Sequence, residues 1–498
     1  MGATGGKVKN NKVLIIGSGI AGLCTGIYLQ KNGFETEILE MHSIAGGLAT
    51  AWKREGYTFE NCIHWLLGSK EGEEMNEAWK EVFDLGRLKF HDAEIYQVVE
   101  RGGKKLVVYR DVDRMEREFL AQAPEDAAVI REFTGLVRKL SFFRFPGGDS
   151  LLPRLVSLVK AIPHLLRIGR YSKFTLAGYA ERVKNPLLKS FFASGLNELS
   201  FLAVAFALAW MTKGNAGYPI GGSLGLIGPI EEHYRTLGGK IRFDTRVEKI
   251  VVSEGKAAGV LVEGGEKITA DIVVSAADGH ATIFQFLEGK FLSDKIEKAH
   301  KSYKPFPSYV QVSLGVNADL KGEPGYLLLL LDKDLVIDPE TRQNFLSFRI
   351  FNFDPTMAPP GRTAVVCFLA TYNHEFWISL REREKVAYDA EKKRVAHDVV
   401  DVFEKRFPAA KGRVEVVDVA TPSTVIRYTG NWKGSMEGWL ITPATGMRPL
   451  PPTLPGLKDF YMVGQWVSPG GGLPSGLMTA RNTTRLICRD NGVKWKAE

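Results

Sequence analysis

Gly17, Gly19 and Gly22 stand in GSGIAG, the GxGxxG spacing that lets a backbone lie against a pyrophosphate. The run before them, KVLII from Lys12 to Ile16, reads as a buried parallel strand. Leu23 to Asn32 is helix-compatible and stops at Gly33, a residue suited to a helix C-cap. A second strand, Thr36 to Leu39, ends at Glu40. In this pattern Gly17 makes the tight turn, Gly19 admits the pyrophosphate and Gly22 lets helix and strand pack closely. Glu40 can take ribose hydroxyls, and an acid there argues against the 2′-phosphate of NADP. Ser18, Ile20 and Ala21 inside the turn, and Met41 beside the acid, are binding candidates with them.

FAD and NAD both satisfy this fingerprint. Two further features favour FAD. Gly46 and Gly47, followed by Leu48 in HSIAGGLA, could run beside the pyrophosphate and flavin, or make an ordinary turn. Near the other terminus, DFYMVGQWVSPGGGLPSGLMTA (Asp459 to Ala480) places a glycine- and proline-rich loop between a strand at Phe460 to Val463 and a helix starting near Ser475. A glycine loop and a helix N-terminus could close over the ring end of a flavin and stabilise negative charge on it. Gly464, Gln465, Gly472, Leu473 and Pro474 are the candidates there.

The chain of 498 residues is long enough for two domains. It is 45% hydrophobic and 24% charged, a globular composition that excludes disorder. A net charge of +8 is modest for this length. It is compatible with a solvated basic surface or an anionic membrane, and no nucleic-acid-binding motif accompanies it. Cys24, Cys62, Cys367 and Cys488 form neither a CxxC pair nor a zinc spacing, so free thiols in a reducing compartment and no metal are expected. No signal-peptide pattern opens the sequence. A cytoplasmic location is expected, with or without peripheral attachment to a membrane.

Taken together, GSGIAG with Glu40, the AGGLA turn, YPIGGSLGLIGPIEEHYRTLGGKIRFDTRVEKIVV (Tyr218 to Val252), ADIVVSAADGHATI (Ala270 to Ile283) and VGQWVSPGGGLPSG resemble the phytoene desaturase-like flavoproteins. That family includes carotenoid desaturases, carotenoid isomerases and retinol saturases. The resemblance covers most of the chain. It implies an α/β fold: a Rossmann-type FAD-binding domain of the glutathione reductase/amine oxidase kind with a second, α+β substrate domain. The FAD domain would be discontinuous, from residues 1–75, 215–300 and 455–498, with Val247 among its cofactor-binding residues. The substrate domain would be 76–214 plus 301–454. The residues themselves support part of this. Ile241 to Val252 and Ala257 to Ala277 alternate like antiparallel strands with a turn at Gly264-Gly265, and Arg114 to Leu140 and Glu382 to Phe407 are helix-compatible.

GYTFENCIHWLLG (Gly56 to Gly68) resembles the segment that carries Asp-Thr-Gly and then a His in retinol saturases and carotenoid isomerases. Here Asn61 and Cys62 replace Thr-Gly, Glu60 precedes them and His64 is retained. Gln465 stands where many relatives have an acid contacting the ribityl chain. Both are departures from the family pattern.

Leu151 to Leu176 carries five basic residues and no acid, with Leu151, Leu155, Leu158, Val159, Ile162, Leu165 and Leu166 on one broad helical face and Pro163 as a break. It reads either as membrane-facing interfacial helices or as helices packed on the protein's own core. Phe191 to Met211 is almost wholly apolar and could wall an oily tunnel or belong to an ordinary core.

The implied chemistry is hydride exchange between flavin N5 and a substrate carbon, with a proton lost or gained at the neighbouring carbon. His64 is the first candidate for that proton, set against a structural histidine. Glu198 is the second, and Arg427 and Tyr428 are weaker ones. Trp65 and Trp466 could stack near the ring or simply be core. The expected function is FAD-dependent oxidoreduction of a long apolar isoprenoid or polyene, by desaturation, saturation or isomerisation, with an unidentified electron partner. The alternatives are an amine-oxidase-like flavoenzyme for a smaller polar substrate and a non-catalytic prenyl-binding escort.

Overall fold

The structure is a computed structural model and describes residues 11–143, 166–193 and 195–497. The β-branched run at the start of the chain becomes the centre of a five-stranded parallel sheet. Its order is Lys240–Arg242, Glu35–Leu39, Lys12–Ile16, Ile272–Ser275 and Phe460–Met462. Strands buried on both faces need continuous apolar sequence, and Val13, Leu14, Ile15 and Val274 are fully buried. Three distant stretches of sequence therefore meet in one sheet.

The helix Ile20–Lys31 follows the first strand, with Gly33 at φ +83° just beyond it. The C-terminal helix, Gly472–Asp490, packs directly against it. It begins three residues before Ser475. At their contact a Cβ on Gly476 would lie 2.5 Å from Ile20 Cγ2, so the glycine sets how closely the two N-termini approach.

The expected alternation from Ile241 to Ala277 divides between two sheets. Val247–Ser253, Lys256–Val262 and Lys267–Thr269 form an antiparallel sheet, with Gly264 and Gly265 at positive φ in its second turn. Ile241 and the strand Ile272–Ser275 join the parallel sheet instead. The apolar runs at both ends of this stretch pair with the buried central strands.

A second, seven-stranded sheet is antiparallel except for one pair, Tyr326–Asp338 with Ile95–Arg101. Helices flank it. The stretch expected as one helix from Arg114 is two, Val112–Gln122 and Ala127–Ser141, because Pro124 interrupts the pattern. The second long stretch, from Glu382, is the end of the helix His374–Arg383 and, after a break at Glu384, the helix Lys385–Arg406.

Phe191 to Met211 supplies the end of the helix Pro186–Ala193 and most of Phe201–Thr212. Phe201, Ala205, Leu208 and Ala209 sit in a core rich in stacked and edge-on aromatic rings, including Tyr179 and Phe133. Of Leu151–Leu176, the part up to residue 165 lies outside the described residues. No helix among the described residues is long and apolar enough to cross a membrane.

Candidate active site

Two cavities meet at the segment that follows Glu60. Cys62 lines one, and Ile63, His64 and Trp65 line the other.

The first cavity runs along the fingerprint. Gly17, Gly19, Ile20, Ala21, Glu40, Met41, Gly46, Gly47, Leu48 and Val247 line it from the N-terminal half. Gly464, Gln465, Gly472 and Leu473 line it from the C-terminal loop. Ser18, Gly22 and Pro474 do not line it. Ser18 instead holds Glu40: its N–H and its hydroxyl each donate to Glu40 Oε2 at 2.7 Å, while the His42 N–H donates to Oε1 at 2.9 Å. The carboxylate is thereby aimed, and the remaining lone pairs can accept from sugar hydroxyls.

Gly22 acts inside the fold. A Cβ there would lie 2.0 Å from the Gly17 carbonyl oxygen, so only glycine lets the helix begin against the strand. Gly19 is different. A Cβ on it would meet only the Gly46 carbonyl oxygen, at 3.8 Å, and would otherwise project into open space. Its bareness serves what occupies the cavity.

No side chain caps the N-terminus of either Ile20–Lys31 or Gly472–Asp490, and Gly19 and Gly471 occupy the N-cap positions. Two sets of free N–H groups and two positive dipole ends thus face one cleft. This is a cradle for an anionic dinucleotide with a second segment at its far end, and the residues fit FAD.

Three acids complete the cleft. Glu60, 1% exposed, accepts at Oε1 from the N–H groups of Asn61, Cys62 and Ile63 and from the Ser223 hydroxyl, and at Oε2 from the Ser223 N–H. Burial raises its pKa and these bonds oppose the rise. Glu60 therefore fixes both the turn carrying Cys62 and His64 and the start of the helix Gly222–Thr236. Asn61 ties that turn to the AGGLA loop through the Leu48 carbonyl. Burial pushes Asp278 up to about 6 and Glu437 up to about 7. Both line the first cavity. Glu437 lies against the C-terminal loop, with its Oε1 3.7 Å from where a Gly472 Cβ would sit. A carboxyl that titrates near neutrality in such a cleft can give or take a proton at working pH. Burial, then the neighbouring Glu60 and Glu437, drives the Cys62 thiol well up, so it stays protonated.

His64 lines the second cavity. Its Nε2 is shielded from solvent and has no hydrogen-bond partner. Burial, then the charge of Arg349, holds its pKa well below the ordinary histidine value. Glu198 is a correction: its side chain is 57% exposed and ion-paired with Lys304, and it lines neither cavity. The loop before the helix Phe201–Thr212 turns it to solvent. Arg427 is exposed, and Tyr428 lines the first cavity, edge-on to His42. Trp65 lines the second cavity beside Trp210. Trp466 lines the first cavity from a buried position, donates to Asn431 Oδ1 at 2.9 Å and blocks any Cβ on Gly279.

A sequence model of flavin-containing amine oxidoreductases matches residues 20–488. The chain belongs to this family. It is an FAD-dependent oxidoreductase. A chloroplastic prolycopene isomerase of Arabidopsis thaliana is 24% identical over 502 residues, which is 97% of this chain and 84% of the isomerase. A lycopene-forming phytoene desaturase of a Paracoccus species is 23% identical, over 96% of this chain and 97% of the desaturase. Among solved structures, an oxidoreductase from Methanosarcina mazei superposes with a TM-score of 0.59 at 19% identity, covering 95% of this chain and all of that one.

Sequence reasoning missed Glu437, Asp278 and Arg349 in this flavoprotein. No spacing marks Glu437, which stands alone in SMEGW. Arg349 left a readable signal, as the one charge in the strand end LSFRIF.

Proposed function

We propose that this oxidoreductase acts on a long apolar isoprenoid or polyene, desaturating, saturating or isomerising it. The observation that carries the reading is the second cavity, which abuts the flavin cradle and presents Ile63, Trp65, Met211, Phe351 and Phe353. Walls of this kind gain from burying hydrocarbon and offer little to a small polycation. The prolycopene isomerase and phytoene desaturase names of the relatives support the same substrate class.

Bound FAD supplies hydride acceptance and donation. The protein's own residues have the other tasks. Gly17, Gly19, Glu40 and the two helix N-termini hold the cofactor. The aromatic and aliphatic walls align the chain and exclude water. Glu437 faces the first cavity and His64 the second, and they are the groups proposed to hold or move the proton. The two uncapped helix starts and Glu40 also weigh against a non-catalytic escort role.

Peripheral attachment to a membrane belongs to the same reading, since such substrates reside in bilayers. Extracting the purified protein and identifying the bound lipid by mass spectrometry tests the proposal. A long isoprenoid or polyene is expected. A small polar amine turned over with hydrogen peroxide release, and no bound lipid, would contradict it.

A further inference from the structure

Arg349 lies in the strand Thr341–Ile350, opposite Tyr326 and Val366 on its neighbours, and lines the second cavity. Its guanidinium carbon sits 3.6 Å from the centre of the Tyr326 ring. Its Nε is shielded from solvent and makes no hydrogen bond. No carboxylate lies within 4 Å of it among the described residues. The other cations of this cavity are paired: Arg110 with Asp92 at 3.0 Å and Lys321 with Asp319 at 3.2 Å. The acids that line it are also taken, Glu94 by Arg114 and Glu323 by Arg406.

The half-buried guanidinium is held by the Tyr326 ring face and a hydrogen bond with Tyr96, and neither supplies the negative charge that a cation withdrawn from water needs. His64, on the same cavity, adds a second unpartnered and shielded nitrogen. The two groups converge where the wall is otherwise mostly apolar. We propose that the second cavity seats a carboxylate end of the substrate, held by Arg349 with His64 beside it. This rests on the apolar-chain reading above and refines it: the preferred ligand is an isoprenoid or polyene acid. A planar carboxylate matches the guanidinium fork, whereas a hydrocarbon end would leave the charge without a counter-ion.

Fluorescence titration of the FAD-loaded protein tests this, with cis-parinaric acid, the matching polyene alcohol and an alkyl phosphate of equal length. The acid is expected to bind about ten-fold or more tighter than the alcohol, the range of a charged hydrogen bond. R349Q should bring the acid to the level of the alcohol with FAD content retained, and R349K should keep part of the preference. Should R349Q not fold, the comparison of acid with alcohol in the parent protein decides alone. Equal binding of acid and alcohol, a preference that survives R349Q, or a preference for the phosphate would overturn the carboxylate seat and leave the apolar-chain reading standing. If neither long chain binds, that reading fails, and calorimetry with the short acid sorbate decides the seat: Arg349-dependent binding supports it, and no binding overturns it.

Discussion

Gly19 and Gly22 are three residues apart and serve different ends. Replacing Gly22 by Val drives a side chain into the Gly17 carbonyl and should lower thermal stability with or without flavin. Replacing Gly19 by Val meets free space, so the flavin-stripped protein should melt as the parent does, yet take up no FAD. Melting curves and released-flavin assays on both variants separate the two roles. At Glu437, burial lifts the pKa from 4.5 to about 7. Between those values the folded state holds a proton that the unfolded state has released. Stability from this group is therefore present at low pH and lost as pH rises through about 7. Asp278, lifted to about 6, adds a slope of the same sign at lower pH. Glu437→Gln in flavin-stripped protein should flatten the upper part of that fall, read by urea titration at several pH values. In turnover, the same variant should lose about 10²–10⁴ in rate together with a pH limb near 7, while His64→Gln retains that limb. If only His64→Gln lowers turnover, the proton belongs to the histidine.

At the scale of elements, Glu60 joins the turn at Asn61–Ile63 to the start of the helix Gly222–Thr236. Glu60→Leu would strand those N–H groups and should destabilise by about 1–3 kcal/mol for each donor left bare, measured by urea unfolding. The segment Leu151–Leu176 carries a prediction from its sequence alone. Phe142 and Leu166, among the described residues on either side of residues 144–165, are 81% and 73% exposed. Each basic residue near an anionic surface contributes about 1 kcal/mol before screening. Changing Arg154, Lys160 and Arg167 to Glu should move the protein off anionic liposomes in flotation. Flotation that does not change, or a parent protein that does not bind the liposomes, would count against a membrane role for this segment.

Across the whole molecule, the sequence was most legible where backbone chemistry dictates residue type. The strand–glycine–helix–acid unit could be read because only glycine fits at Gly17 and Gly22, and the C-terminal loop because its glycines precede an uncapped helix. The α/β architecture followed from those units. The acids were less legible. Glu437 and Glu198 look alike in sequence; one faces a cleft and the other an exposed lysine, a difference set by long-range packing. The strands at Lys240–Arg242 and Ile272–Ser275 were misassigned for the same reason, since sheet partners far away in sequence decide their pairing.

The most direct test of the central claim offers the holoprotein a long polyene and, separately, a set of primary amines, with products read by chromatography. A flavin-dependent change in the number or geometry of the polyene's double bonds is expected, absent from flavin-stripped protein, with the amines untouched. Oxidised amines with the polyene unchanged would contradict it.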